Sequence, residues 1–139
     1  LSRQVVLYDE LSVGQTFPEF EFAITEDVIE KYCQTIGETN EKFLKAASGE
    51  KRVAPPTIVS LFTFAVYKNF IDSPSGTLHA KQSYLFNAPL YAGDVLKVSA
   101  RITEKYVNAK GRKFVIFESD AKRGDEVVST SIMTLCWAK

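Results

Sequence analysis

The chain has 139 residues, with 17 basic and 17 acidic side chains and a formal net charge of zero. That length suits one domain, 1–139, with a sizeable core, and the balanced charge leaves no basic stripe for nucleic acid. No apolar run reaches the length of a membrane span, since Lys68 and Asp72 interrupt the longest, and no signal peptide is visible at the start. The chain begins at Leu1 rather than Met, which leaves room for residues upstream.

Leu7 to Gln15 reads as an extended entry with a turn at Val13-Gly14. Phe20, Phe22 and Ile24 alternate with Glu19, Glu21 and Ala23, the pattern of a first strand. Thr25 is placed to cap a helix, with Glu26 and Asp27 at its positive end. Val28, Ile29, Tyr32, Cys33 and Ile36 give that helix an apolar stripe, and Gly37 ends it. Cys33 and the last-strand Cys136 are too few for a disulfide framework and have no metal-ligand spacing. They read as buried thiols in a reducing compartment, with the cytoplasm as the expected location.

Glu38 to Val53 is a polar loop with room for a short helix at Glu41 to Ala47. A loop of that length is more often functional than idle. A helix is then expected from Ala54-Pro55-Pro56-Thr57 through Phe70, apolar all round its wheel. Such a helix has to be wrapped. Four strands follow: His79 to Leu90, Leu96 to Thr103, Phe114 to Lys122 and Val127 to Trp137. Their period-two alternation is that of an antiparallel sheet with one buried face. The basic clusters at Lys110-Gly111-Arg112-Lys113 and Lys122-Arg123 read as solvated turns, with a ligand phosphate as the alternative partner. The expected class is α+β, an antiparallel sheet wrapped around one long buried helix.

That order of elements resembles a hot-dog fold, and local motifs narrow the resemblance. His79, Gln82, Tyr84 or Phe86, Pro89, Gly93 and Asp94 follow the strand-and-turn pattern of MaoC-like dehydratases. Ala54-Pro55-Pro56-Thr57 resembles the helix start of the family's N-terminal-type branch, and Gly37-Glu38-Thr39-Asn40 resembles the hydratase loop. Phe117-Glu118 and Gly124-Asp125-Glu126-Val127 fit the family's last hairpin. The resemblance implies a hydro-lyase, an enoyl-thioester hydratase or dehydratase of fatty acid metabolism. Its substrate rides on coenzyme A or acyl carrier protein, and no metal or redox cofactor is implied. Helix-start N–H groups polarise the thioester carbonyl. By this likeness Thr57 and Ile58 carry the first available N–H groups, and Phe62, Tyr84 and Phe86 build an apolar slot beside them.

The sequence departs from the family at its proton-transfer pair. Laid on the motif D-x-N-P-x-H, it reads Glu38-Thr39-Asn40-Glu41-Lys42-Phe43. Glu38 and Asn40 are the candidate catalytic residues, and Phe43 stands where the family has histidine. A positioned acid or base contributes about 10²–10⁴-fold, so this loss is severe. Glu38 also reads as a plain loop acid. His79, the one histidine, reads first as a structural residue bonded to backbone and second as a substitute base. Two functions remain open. One is a dyad-less subunit that shapes the acyl site of a catalytic partner chain in a heterodimer. The other is a self-sufficient homodimer using Glu38. A thioesterase ranks lower, because no acid lies between Thr57 and Ile71. A pure thioester-binding module is the last alternative.

Overall fold

The computed structural model describes residues 2–139. Five antiparallel strands form one sheet: β1 (Thr16–Ile24), β2 (Leu78–Phe86), β3 (Asp94–Val107), β4 (Lys113–Arg123) and β5 (Glu126–Trp137), in the order β1-β3-β4-β5-β2. The strands are where alternation places them. In β3, Leu96, Val98, Ala100 and Ile102 are buried, while Lys97 between them is exposed. The strand runs on to Val107 because a bulge between Ile102 and Glu104 shifts the register and sends Lys105 inward. There its ammonium donates to the carbonyls of Tyr8 and Leu11. β2 is shorter than alternation suggests, ending at Phe86 ahead of Pro89.

Helix α1 (Glu26–Ile36) starts at Thr25, whose Oγ1 accepts from the Val28 N–H at 3.1 Å. It stops at Gly37, held at φ 69°, a left-handed turn that glycine adopts without cost. Helix α2 (Glu41–Leu44) is one turn inside the long loop, and Asn40 Oδ1 caps it by accepting from the Lys42 N–H.

The central segment packs on the concave face of the sheet, but it is not one regular α-helix. Pro56–Phe62 forms a 3-10 helix, a turn follows, and α3 (Ala65–Lys68) completes it. The local chemistry explains the interruption. Pro55 and Pro56 supply no N–H to an opening α-turn. Ile58 and Val59 are β-branched and stiff, and Thr63 turns its hydroxyl back onto the Val59 carbonyl at 3.2 Å. Nor is the segment wrapped on all sides. Ile58, Val59, Phe62, Val66 and Tyr67 are core, whereas Leu61 and Phe64 stay exposed. The core is densest where Tyr67 stacks on Phe117 at 4.9 Å and Trp137 flanks both.

The sheet has two free edges, and they differ. The β1 edge carries Pro18, an irregular register between Phe17 and Phe20, and the exposed acids Glu19 and Glu21. Those features blunt strand addition. The β2 edge has no proline and no acid, and Leu78 and Leu85 on it are more than 60 % exposed. Leu61 and Phe64 of the central segment, with Phe86, add to this uncovered apolar side.

Candidate functional site

The loop after α1 is pinned by Arg52, which lies at the end of the stretch read from sequence simply as a polar loop, Glu38 to Val53. Arg52 has only 7 % of its side chain exposed. Its Nη1 donates to Glu30 Oε2 at 2.8 Å, with Glu26 Oε2 at 3.6 Å, and its Nε donates to the Phe43 carbonyl at 2.9 Å. Glu26 and Glu30 lie one turn apart on α1, so the helix presents two carboxylates to one guanidinium. Burial is the largest single influence and works against the Arg52 charge, but the Glu30 hydrogen bond together with the charges of Glu30, Cys33 and Glu26 outweighs it and raises its pKa. The same contact holds the Glu30 carboxyl below its ordinary range. Cys33 lies beside this pair, and burial pushes its thiol up. The i, i+4 acids of α1 were the available signal for a buried Arg partner.

A second knot forms around Asp94, which is 8 % exposed. Its Oδ2 accepts from the Tyr91 N–H and from Arg123 Nη1, both at 2.8 Å. Arg123 also donates to the Pro89 carbonyl at 3.0 Å and to Glu126 at 3.2 Å. Arg123 is therefore not part of a solvated turn. Burial again opposes its charge most strongly of any single influence, and Asp94 and Glu126 together more than compensate. The Pro89, Gly93 and Asp94 motif is thus a brace. It fixes the Asn87–Tyr91 stretch, which the Ala54 N–H reaches by donating to the Leu90 carbonyl at 2.8 Å.

Between these knots lies a cavity of ≈ 810 Å³. One wall is Phe43 with Ala46 and Ala47 of the loop. Val53, Ala54, Pro56, Phe86, Ala88, Leu90 and Val128 also line the cavity, and Lys42, Lys45 and Lys51 join Glu41 and Glu50 around it. The wall is mostly apolar with a few charged groups, the usual make-up of a small-molecule site.

The sequence-derived residues distribute unevenly around it. Phe86 lines the cavity, and Phe43 lines it where the family has histidine. Glu38 does not line it. Its Oε1 accepts from the N–H groups of Thr39 and Asn40 at 3.0 and 2.9 Å, so the carboxylate ties its own turn. Asn40 is engaged in capping α2. Ile58 is fully buried and its N–H donates to the Pro55 carbonyl at 3.0 Å. Phe62 packs against Phe22 in the core. Tyr84 bonds through its hydroxyl to Thr63 at 2.9 Å and stacks on Phe86 at 5.7 Å. Thr57 is exposed beside the cavity-lining Pro56, and its hydroxyl meets Tyr32 at 2.7 Å. His79 bonds to the Gln82 side chain at 3.1 Å rather than to backbone, with its ring edge-on to Phe64.

A family model described as the FAS1-like dehydratase domain region matches residues 12–131. The fatty acid synthase subunit beta of Schizosaccharomyces pombe is 28% identical over 128 residues, which cover 86% of this chain and 6% of that subunit. Among solved structures, the R-hydratase PhaJ1 of Pseudomonas aeruginosa superposes with a TM-score of 0.76 at 22% identity, covering 99% of this chain and 88% of that one. The HadBC 3R-hydroxyacyl-ACP dehydratase complex of Mycobacterium tuberculosis gives 0.74 at 21% identity, covering 88% and 95%. The strand order and these matches agree, and the chain belongs to the hot-dog dehydratases as a member of the FAS1-like dehydratase domain region.

Proposed function

We propose that the chain is a dyad-less, acyl-thioester-binding subunit of a hydratase or dehydratase, whose chemistry requires a second hot-dog chain. One observation carries this reading: Phe43, not a histidine, lines the ≈ 810 Å³ cavity, while the braces that shape the cavity are in place. Phenylalanine moves no proton, so water addition across an enoyl thioester lacks its acid–base group here. The apolar wall takes an acyl chain, and the three lysines suit the anionic carrier, coenzyme A or acyl carrier protein. Thr57 supports the thioester carbonyl in this reading. Pro55 and Pro56 have no N–H and the Ile58 N–H is used, so one backbone donor remains. A seven-residue 3-10 helix offers that single donor rather than the end of a long helix dipole.

Pairing along the unguarded β2 edge would cover Leu78, Leu85, Leu61 and Phe64. A homodimer and a heterodimer both achieve it, and the HadBC likeness lends the heterodimer its support. The two free thiols fit work in the cytoplasm.

The test is binding and hydration of crotonyl-CoA by the purified chain, alone and mixed with hot-dog chains that carry the Asp–His pair. Binding without turnover, and turnover on adding such a chain, is the expected result. No binding removes the thioester reading. Turnover by the chain alone that disappears in Glu38→Gln replaces it with a self-sufficient enzyme in which Glu38 is the acid–base group.

A further inference from the structure

The cavity has an exposed part that is charged and a buried part that is not, with one exception. The charged residues around it, Glu41, Lys42, Lys45, Glu50 and Lys51, are all exposed. The buried lining residues are Ala54, Leu90, Val128 and Ser129, each between 0 and 4 % exposed. Three of these four are apolar, so a single hydroxyl stands in the part of the wall furthest from bulk water. The strand fixes its direction. In β5, Ser129 pairs with Phe86 of β2 on one side and with Ala121 of β4 on the other. Directly paired residues share a face of the sheet, so Ser129 lies on the face of the cavity-lining Phe86, beside the short side chain of Ala121.

Other buried hydroxyls on this face are satisfied within the chain. Ser131 Oγ accepts from Gln82 Nε2 at 2.7 Å, and Thr63 Oγ1 donates to the Val59 carbonyl at 3.2 Å. Ser129 Oγ has no such partner among the described residues. Nor is it sealed in: among those residues, the one side-chain nitrogen or oxygen that is both shut off from solvent and unpartnered is Arg52 Nη2. An unpartnered hydroxyl that is not sealed opens onto space, and the space that Ser129 lines is the cavity. A hydroxyl in an apolar wall that meets hydrocarbon loses its water and gains nothing, a cost that alanine at the same position does not carry. The group can donate or accept, so it suits a hydroxyl or keto oxygen. It does not suit a carboxylate, because no buried lining residue supplies a compensating charge. The exposed lysines mark the part of the cavity that serves an anionic carrier, which leaves the buried part, with Ser129, to the acyl chain.

We propose that Ser129 selects the acyl group: its hydroxyl hydrogen-bonds a neutral oxygen on the acyl chain, so the cavity prefers an oxygenated acyl thioester to a plain hydrocarbon one. The proposal rests on the cavity being the thioester site. Selection of this kind works by penalising the wrong ligand, since a chain without the oxygen leaves a buried hydroxyl unpaired.

The experiment uses the full chain and three probes of one chain length, hexanoyl-CoA, 3-hydroxyhexanoyl-CoA and 6-hydroxyhexanoyl-CoA. The last two place the oxygen near the thioester or at the far end. Titration calorimetry should show one hydroxylated probe bound about fivefold tighter than hexanoyl-CoA, the size of one neutral hydrogen bond. Which of the two it is reads how far along the chain Ser129 reaches. Ser129→Ala should erase that preference and bind hexanoyl-CoA at least as tightly as the wild type. Ser129→Thr and Ser129→Val, alike in shape and differing in the hydroxyl, repeat the comparison if the alanine variant does not fold: threonine should keep the preference and valine lose it. A merely structural role for this position would not separate that pair by probe. A wild type that binds the three probes alike, or a preference that persists in Ser129→Ala or Ser129→Val, overturns this inference and leaves the thioester reading standing. If none of the three probes binds, the thioester reading falls and this inference falls with it.

Discussion

Arg52→Met tests whether the cavity wall is held from behind. The guanidinium is almost fully buried, and it is the donor to the Phe43 carbonyl at 2.9 Å. Methionine keeps the apolar stem and removes the donors, so packing is largely conserved. A carbonyl that loses a charge-assisted bond in a half-buried setting costs about 1.5–3 kcal/mol, and recovering the desolvation of the guanidinium offsets part of that. A net loss of about 1–2 kcal/mol follows. For a chain of this size each kcal/mol shifts the melting temperature by about 3–4 °C, so Tm should fall by about 3–8 °C. Thioester affinity should fall with it, because Phe43 loses its anchor. Arg52→Lys should not rescue either property, since one ammonium lacks the planar fork that serves Phe43 and Glu30 together. Thermal unfolding by circular dichroism and calorimetric titration with crotonyl-CoA read both effects. A variant that melts within about 1 °C of wild type and binds the ligand equally well would refute the clamp.

Asp94→Asn should lower the urea midpoint at unchanged slope, a loss of about 1–2 kcal/mol, because the half-buried Arg123 loses its buried charged partner and keeps only Glu126, while the Tyr91 N–H loses its carboxylate acceptor. Glu30 titrates lower in the folded chain than its ordinary 4.5, through its bonds to Arg52 and Gln34. Its contribution is therefore fully present above the unfolded value and lost as pH falls through the folded one. The Tm gap between wild type and Glu30→Gln should be constant near neutrality and close only in acid below that value; a gap that instead changes between pH 6 and 8 would contradict the assignment. Phe43→His alone should bind thioester and still fail to hydrate it, because the Glu38 carboxylate stays tied to the Thr39 and Asn40 N–H groups. Steady-state hydration of crotonyl-CoA decides this, and turnover from the single substitution would show that Glu38 can leave its turn.

Much of the scaffold was legible because it depends on near neighbours in sequence. Thr25 and Gly37 bound α1 through contacts within four residues, and the alternation in β3 needed only the pleat. The regular form assumed for the central segment was not legible, because hydrophobicity around a wheel does not distinguish a 3-10 helix from an α-helix. Thr63 and the β-branched pair Ile58-Val59 decide that locally. Uniform apolarity also misled about burial: Leu61 and Phe64 face out beside β2, which makes sense if a second chain covers them. The two arginine knots were hidden for another reason. Arg52 meets Glu30 across 22 positions and Arg123 meets Asp94 across 29, and a lone charge in a turn carries no mark of a partner so far away. For the same reason the cavity wall was only partly foreseen. Phe86 and Phe43 lie on it, while Ala88, Leu90 and Val128 arrive from a stretch braced by Arg123.

The state of the Phe43 loop bears on whether the missing histidine is decay or design. A decayed site loses the supports along with the reactive group. Here the supports are in place: the Phe43 N–H donates to the Asn40 carbonyl at 3.0 Å, its carbonyl accepts from Arg52, and Lys42 lies over its ring at 5.2 Å. The loop spends a buried arginine on holding a phenylalanine against the cavity. An apolar ring offers no hydrogen bond to an ordered water at that point of the wall, and such a water is held by two to four of them. Hydration requires a placed water, whereas binding an acyl chain is favoured by its absence. If the chain is the binding subunit proposed above, an apolar ring at this point of the wall serves acyl contact in place of reactivity. Phe43→Ser separates the two ideas. If the wall serves binding, acyl-thioester affinity drops by about tenfold, the worth of burying most of one aromatic side chain against ligand. If Phe43 only fills space left by a lost catalyst, affinity should hold within about twofold, and the binding role would have to be abandoned.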